Sequence, residues 1–494
     1  MVQTVVPGGN VAGLAKFPAQ GVVSSAVRGR GVITVSAKGI SNGLSDIIND
    51  GADFGVDTPQ TQTSGIQEAV NYAWDNKIYK IKVLAGMFQM NMDFVNQQSQ
   101  IENAYIIEIP ANSISNPIIT FEIEGTLGNT SDYQTGYNAT PSITPTSPNI
   151  GSVIYIPQLL TNNPVGGSAI FGSAVPPTEN ADAGLNNNVN IILKNVAIMN
   201  QLPSSSGYQL SAWQLDNFAG FDVDNIVATV YTPTGSLENP STTVNGTSST
   251  SGQNGISINQ PNNGNGLARI RSAYVVNYLF GIWVNHCQHL RIDYAFAQYN
   301  TVGLLLGNVG NYAPLINMID LEQNTNAVYF SNSSPLQLYN SSFQIQNQGA
   351  YSTTDWSNAQ RDFYFTNSAN VYGDIELYIT GGSFTDNPLF GGNTQYNFLN
   401  IRQRLGDGSI GALPLTVPDV PASGSSSQNT NPYSVKVYVN GGAVTEIQIA
   451  IGSNTYTVYS NSTASAVYEG FTLPAGASIT LTYTTAPTWS WVPE

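Results

Sequence analysis

The sequence predicts an all-β chain: a right-handed parallel β-helix with a short N-terminal capping helix, followed by a small C-terminal β-sandwich. Three observations predict it. Two different strand-like runs repeat with one shared period inside residues 266–366, helical patterning is confined to a stretch near 64–75, and a Pro/Ser-rich segment precedes a tail of short alternating strands. The division that follows is an arm over 1–45, a β-helix domain over 46–403, a linker over 404–430 and a sandwich over 431–494.

The period comes first. Gly281-Ile282-Trp283-Val284 recurs as Gly303-Leu304-Leu305-Leu306 and as Ala327-Val328-Tyr329-Phe330, at offsets of 22 and 24 residues. Arg269-Ile270-Arg271 recurs as Arg291-Ile292-Asp293, again 22 apart. Two strands sharing one period, with no helix between, describe a coiled solenoid of strands. Because alternate residues of a strand face opposite ways, Ile282, Leu304 and Val328 should stack inside, with Val284, Leu306 and Phe330. Trp283, Leu305 and Tyr329 should stack outside, and Tyr364 should continue their row. Arg269 should lie beside Arg291, and Arg271 beside Asp293 as an ion pair, on coils about 4.8 Å apart. The like charges at Arg269 and Arg291 should cost about as much as that pair gains, unless something anionic sits there.

The entry to the solenoid is Asp53-Phe54-Gly55, then Thr63-Ser64-Gly65-Ile66-Gln67-Glu68-Ala69-Val70, then Lys80-Ile81-Lys82-Val83 and Gly86-Met87-Phe88. Thr63 or Ser64 is the expected N-cap, with Ile66, Ala69, Val70 and Ala73 on one face. A helix here covers the first coil's apolar interior and blocks a sheet edge. In order and spacing this block resembles the entry of pectate-lyase-like β-helices. Residues 404–430 carry Pro414, Pro418, Pro421 and a serine run, and thereafter five or six short strands end on Pro487-Thr488-Trp489-Ser490-Trp491. That ending resembles the C-terminal module of phage tail fibres and receptor-binding proteins. The two resemblances imply a virus spike of the tailspike kind.

Composition narrows the partners. Only 9% of residues are charged, where about 25% is usual, so the polar surface is built from Asn, Gln, Ser, Thr and Tyr. Such a surface changes little with pH, although repetitive β folds favour the same residues in any case. The composition also resembles that of proteins from thermoacidophilic archaea and their viruses. A net charge of −16 argues against nucleic acid or anionic lipid as the main partner. Residues 1–45 hold Lys16, Arg28, Arg30 and Lys38 with no acid, which suits a segment attached to a virion protein or a plain tail. No secretory signal and no apolar run of transmembrane length is expected. Sequons at Asn129, Asn138, Asn245, Asn332, Asn340 and Asn461 suit an extracellular, virion-surface location. The single cysteine, Cys287, stands between His286 and His289, the only two histidines, and reads as a turn thiol; no metal or cofactor is expected.

Because many spikes of the resembled fold cleave polysaccharides, paired carboxylates are the candidate catalytic groups. Asp320 with Glu322, and Asp374 with Glu376, stand two apart on strands and so share a face. Arg291 and Asp293 match the residue types of a lyase without its dense acidic cluster. The outward aromatics Trp283, Tyr329 and Tyr364, with Arg269 and Arg291, fit a homotrimer interface, a glycan platform, or a face covered by a loop such as 332–360. The leading expectation is an adhesin bound to the virion by its N-terminus that holds a host glycan or protein receptor. A polysaccharide-degrading enzyme and a structural surface or filament protein are the alternatives.

Overall fold

The computed structural model describes residues 31–37, 52–56, 58–113, 115–128, 151–158, 160–162, 164–165, 167–174, 187–201, 210–231, 254–259, 268–287, 289–298, 300–307, 314–322, 324, 326–331, 336–346, 363–365, 371–379, 390–392, 398–405, 415–431 and 434–493. The chain forms two compact units, residues 1–305 and 306–494.

In the first unit, three sheets of parallel strands advance together, one strand of each per coil, an arrangement consistent with a parallel β-helix. One coil is Phe218–Asp224, Ile226–Tyr231 and Asn254–Asn259; the next is Ala268–Ile270, Ala273–Val276 and Phe280–His286. The 22-residue register holds: Ala268 pairs with Leu290, Arg269 with Arg291 and Ala273 with Ala295. Ile282, Val284, Leu304 and Leu306 are fully buried, as the alternation requires. In the third sheet Ile107, Phe171, Trp213, Ile256 and Ile282 fill one interior row. The second sheet is apolar on both faces. Phe88, Ile154, Ile198 and Ala228 make one row, while Met87, Val153, Ala197 and Val227 form a separate buried cluster with Met199 on the other face.

Asparagine turns the corners. Asn195, Asn217, Asn225 and Asn277 take left-handed φ of 56°, 60°, 49° and 70°, which asparagine tolerates better than most residues. The side-chain amides of Asn195, Asn225 and Asn277, and those of the corner residues Asn112, Asn187 and Asn300, tie neighbouring coils together. Asn225 Nδ2 donates to Asn195 Oδ1 at 3.1 Å, the Tyr278 amide donates to Asn300 Oδ1 at 2.8 Å, and the Asn112 amide donates to Asn187 Oδ1 at 2.7 Å. Buried backbone groups at each turn are thus satisfied by neutral side chains rather than by charges.

The charges that remain gather on the first sheet's outer face. Registers there run Lys82–Glu124–Lys194–Asp224 and Lys80–Glu122–Ile192–Asp222–Arg269–Arg291. Ion pairs cross between the two rows: Lys80 with Glu124 at 2.9 Å, Lys194 with Glu122 at 3.1 Å, and Arg271 with Asp222 at 2.6 Å.

Helix α1, Ile66–Asp75, buries Ile66, Ala69, Val70, Tyr72 and Ala73. Its N-cap is Gly65 at φ 86°, not Thr63 or Ser64, and it has no side-chain cap. Thr63 instead accepts the Gln67 amide and donates to Glu68 Oε2. The capping function is direct: Gln67 Nε2 donates to the Glu108 carbonyl at 3.0 Å, and Gln67 Oε1 accepts the Glu108 amide at 2.6 Å. One amide side chain thereby occupies both hydrogen-bonding groups of a residue on the edge strand Tyr105–Ile109. Asp53 holds the amide and hydroxyl of Thr34, each at 2.8 Å, and the Phe54 ring packs 5.6 Å from Tyr72. A second helix, α2, Met92–Gln98, was not expected; Asn91 caps it by accepting the amides of Asp93 and Phe94. Ile33–Ser36 pairs with Phe54–Gly55 and Lys80–Val83, so these residues belong to the sheet scaffold rather than to an arm. The rest of 1–45, apart from 31–37, lies outside the described residues.

In the second unit, Ile319–Glu322, Leu336–Gln346, Val371–Ile379 and Phe398–Leu405 pair in parallel, as do Asn326–Phe330, Phe363–Phe365 and Phe390–Gly392. Val328 and Phe330 are buried as expected. The C-terminal strands form one five-stranded antiparallel sheet in place of the expected sandwich. Its central strand, Val435–Ile451, pairs with Thr488–Pro493 over its first half and with Ser478–Thr485 over its second. The partners change at Gly441-Gly442, both left-handed at φ 72° and 74°. The expected linker is part of this module over its described residues. Ser426–Gln428 is a strand, Trp489 Nε1 donates to the Pro418 carbonyl at 2.9 Å and Tyr483 Oη to that of Pro421 at 2.7 Å. The closing Trp489-Ser490-Trp491 is therefore a structural latch, with Trp491 buried opposite Val437.

Candidate functional site

The face of the third sheet in the first unit carries a row that the sequence did not disclose. Parallel registers align Gln214 with Ser257 and Ser257 with Trp283 on three successive coils. Asp216, two residues past Gln214, continues that strand's face into the turn. Gln214 Nε2 donates to Asp216 Oδ2 at 2.9 Å, and the Asn259 amide donates to Oδ1 at 2.6 Å. Ser257 Oγ lies 3.2 Å from Oδ1 and 3.3 Å from Oδ2. Burial pushes the Asp216 carboxyl up to about 7; these donors oppose the shift without cancelling it.

Its neighbours respond. Burial, then the charge of Asp216, pushes the Cys287 thiol up to about 12, so this cysteine is a buried, unreactive group. The Tyr105 hydroxyl is raised by burial and by the charges of Asp216 and Glu108, and burial raises Glu108 as well. Trp283, one coil from Ser257, is half-buried, its ring 6.3 Å from Phe280. Trp283 is thus the one partly exposed member of the row, while Gln214, Ser257 and Asp216 are buried and hydrogen-bonded to one another. No protein-family model and no curated protein matches this sequence.

The predicted residues fall into separate groups. Arg269 and Arg291 are neighbours, as expected, and the anion they require is Asp293. Arg269 donates to Asp293 Oδ2 through Nε at 2.7 Å and through Nη2, while Arg291 Nε donates to Oδ1. Burial alone would raise the Asp293 carboxyl; hydrogen bonds from Arg291 and Arg269 outweigh it and hold it below its ordinary range. Arg271 pairs with Asp222 on the preceding coil rather than with Asp293, because the two carboxylate oxygens of Asp222 match its Nε and Nη2 at 2.7 and 2.6 Å. Leu305, expected on the outward row, is only 8% exposed. Tyr329 is half-buried and in register with Tyr364, whose side chain lies outside the described residues. A loop over 332–360 is excluded in part, since Leu336–Gln346 is a strand.

Of the two carboxylate pairs, the first lies in a poorly solvated position. Burial pushes Asp320 up to about 6, and burial plus the charge of Asp320 pushes Glu322 up to about 7. Gln344 Nε2 donates to Asp320 Oδ2 at 3.2 Å, while Oδ1 is buried without a hydrogen-bond partner among the described residues. Asp374 is exposed, and Glu376 Oε2 accepts the Tyr378 hydroxyl at 2.9 Å. Among the described residues no three His, Cys, Asp or Glu side chains are grouped to hold a metal.

Proposed function

We propose that this chain is a receptor-binding spike. The residues before the first strand dock on a virion protein, a right-handed trimeric β-helix forms the shaft, and its surface holds a host glycan or protein outside the cell. The observation that carries the binding role is Trp283, the partly exposed end of the row Gln214–Ser257–Trp283. Sugars present apolar C–H faces, and an indole on the outward face of a sheet is complementary to them. The regular strand and the buried Gln214–Asp216–Ser257 hydrogen bonds beside it hold the ring's position, so binding costs little ordering.

The test is binding of the purified chain to host cells or their surface glycans, compared with Trp283→Ala. The substitution should weaken binding at least about tenfold, or about 1.4 kcal/mol, while the unfolding midpoint keeps the chain folded at assay temperature. Undiminished binding by the variant would remove this face from the receptor site. Light scattering, with and without residues 1–32, reports the trimer.

A second reading rests on Asp320 and Glu322. Two carboxyls on one strand face, both raised toward neutrality and repelling each other, are suited to share acid and base roles in polysaccharide cleavage. It requires release of reducing ends or unsaturated products from host polysaccharide, abolished by Asp320→Asn or Glu322→Gln. Binding without such release favours the adhesin.

A further inference from the structure

The C-terminal sheet has an outer face that none of the assignments above uses. On the strand Val435–Ile451 the buried residues Val435, Val437 and Val439 alternate with Lys436, Tyr438 and Asn440, which point away from the core. Opposite Tyr438 stand Gly470 on one side and Ser490 on the other, and opposite Asn440 stands Tyr468. Tyr468 is 75% exposed and Tyr438 39%. Three of the four tyrosines that the described residues leave strongly exposed, 438, 456 and 468, are on this one sheet.

The Tyr438 ring is placed deliberately. A Cβ added at Gly470 would meet the ring's Cε1 at 2.8 Å and Lys436 Cε at 3.1 Å, so both side chains lie over the bare glycine. Lys436 Nζ stands 5.8 Å from the Tyr438 ring centroid, within cation–π range. Lys436 is the only lysine or arginine after Arg404, and it makes no ion pair among the described residues. None of the residues opposite Lys436, Tyr438 and Asn440 is acidic, in a chain of net charge −16.

We propose that this face binds an anionic saccharide: a sugar ring lies on Tyr438 and Tyr468, its carboxylate or sulfate meets Lys436, and Asn440 and Ser490 take its hydroxyls. Each component answers to one part of such a ligand. Exposed ring faces match the apolar face of a pyranose, the neutral polar groups match its hydroxyls, and the one cation matches its charge. A peptide partner would call for a deeper apolar pocket than this flat face provides, and a nucleic acid for more than one cation. The inference rests on the adhesin reading and gives it a ligand class and a second, C-terminal site.

The experiment is calorimetric titration of the full chain with oligogalacturonate, sulfated dextran oligomers and neutral dextran oligomers, at low and high salt. Either anionic class should bind more tightly than the neutral one, with affinity falling as salt rises; which of the two binds identifies the acid group. Tyr468→Ala should weaken binding about tenfold, and Lys436→Gln should weaken it and remove most of the salt dependence. Gly470→Ala should also weaken it, by lifting the Tyr438 ring while every binding side chain is retained. Tyr468 is too exposed for its loss to threaten folding, so an unchanged unfolding midpoint accompanies that variant. Equal affinity for neutral and anionic oligomers, or indifference to both Tyr468→Ala and Lys436→Gln, overturns the site. If host cells still bind in that case, the adhesin reading stands without it; if neither cells nor any glycan binds, the adhesin reading falls as well.

Discussion

Asp216 gives the sharpest prediction, because its carboxyl is fully buried and is met by neutral donors alone: Gln214, Ser257 and the Asn259 amide. In the unfolded chain it titrates near 3.8, and in the fold near 7. Between those values the folded state holds a proton that the unfolded state has released. Stability from this group is therefore fully present below about pH 4 and is lost as pH rises through 7. At about 1.4 kcal/mol per pH unit, a rise from 3.8 to about 7 corresponds to about 4 kcal/mol. Asp216→Asn keeps the size and the hydrogen-bonding capacity but cannot ionise, given a rotation of the Gln214 amide. Denaturant midpoints of the two chains at steps from pH 4 to pH 8 measure the effect. The wild type should lose stability relative to the variant across that window. Glu108, Asp320 and Glu322 are raised in the same direction, and they titrate alike in both chains, so the difference isolates Asp216. If the midpoints run parallel from pH 4 to 8, Asp216 is not held protonated by burial and the reasoning fails.

Two further perturbations probe the scaffold. Gln67→Ala removes both hydrogen bonds that close the edge of strand Tyr105–Ile109; a loss of about 1–3 kcal/mol and concentration-dependent self-association by light scattering should follow. Asp293→Asn leaves Arg269 and Arg291 side by side without their shared anion. Stability should drop by about 1 kcal/mol at low ionic strength and recover in about 0.5 M salt, as thermal midpoints at the two salt concentrations would register.

What the sequence disclosed and what it hid follow from one geometric fact. Where coils have equal length, as from Ala268 to Leu306, a strand's neighbour is 22 residues away, and both the stacking of Ile282 on Leu304 and the Arg269–Arg291 contact can be read directly. Where loops intervene, the spacing is irregular. Gln214 and Ser257 are 43 residues apart and Ser257 and Trp283 are 26 apart, so no period marks them as one row. Nothing in the spacing singles out Asp216 for that reason. The Arg271 partner was misassigned for a different reason: lateral neighbours were read from register alone, whereas long side chains reach diagonally to a coil on either side, and Asp222 offered both oxygens. Helix α2 was missed because seven residues are too short for an apolar period to stand out, and its cap, Asn91, gains meaning only once the helix is known. At the C-terminus the alternation of Val435, Val437 and Val439 was plain, while the change of strand partner at Gly441-Gly442 that joins all five strands into one sheet was not.

The low charge and the raised carboxyls belong to the same design. A coil that closes its corners with Asn195, Asn225, Asn277 and Asn300 has no need of ion pairs there, and amides keep their hydrogen bonds at any pH at which the chain itself survives. The acids placed in poorly solvated positions, Asp216, Glu108, Asp320 and Glu322, are shifted upward, so acid makes them neutral and costs the fold nothing. Opposing them are groups such as Glu124 and Asp293, held down by Lys80 and by Arg291 with Arg269 on an exposed sheet face, where each pair contributes little. Among these six acids the buried contribution is the larger, because desolvation acts on a group that water cannot screen, whereas the exposed pairs are screened.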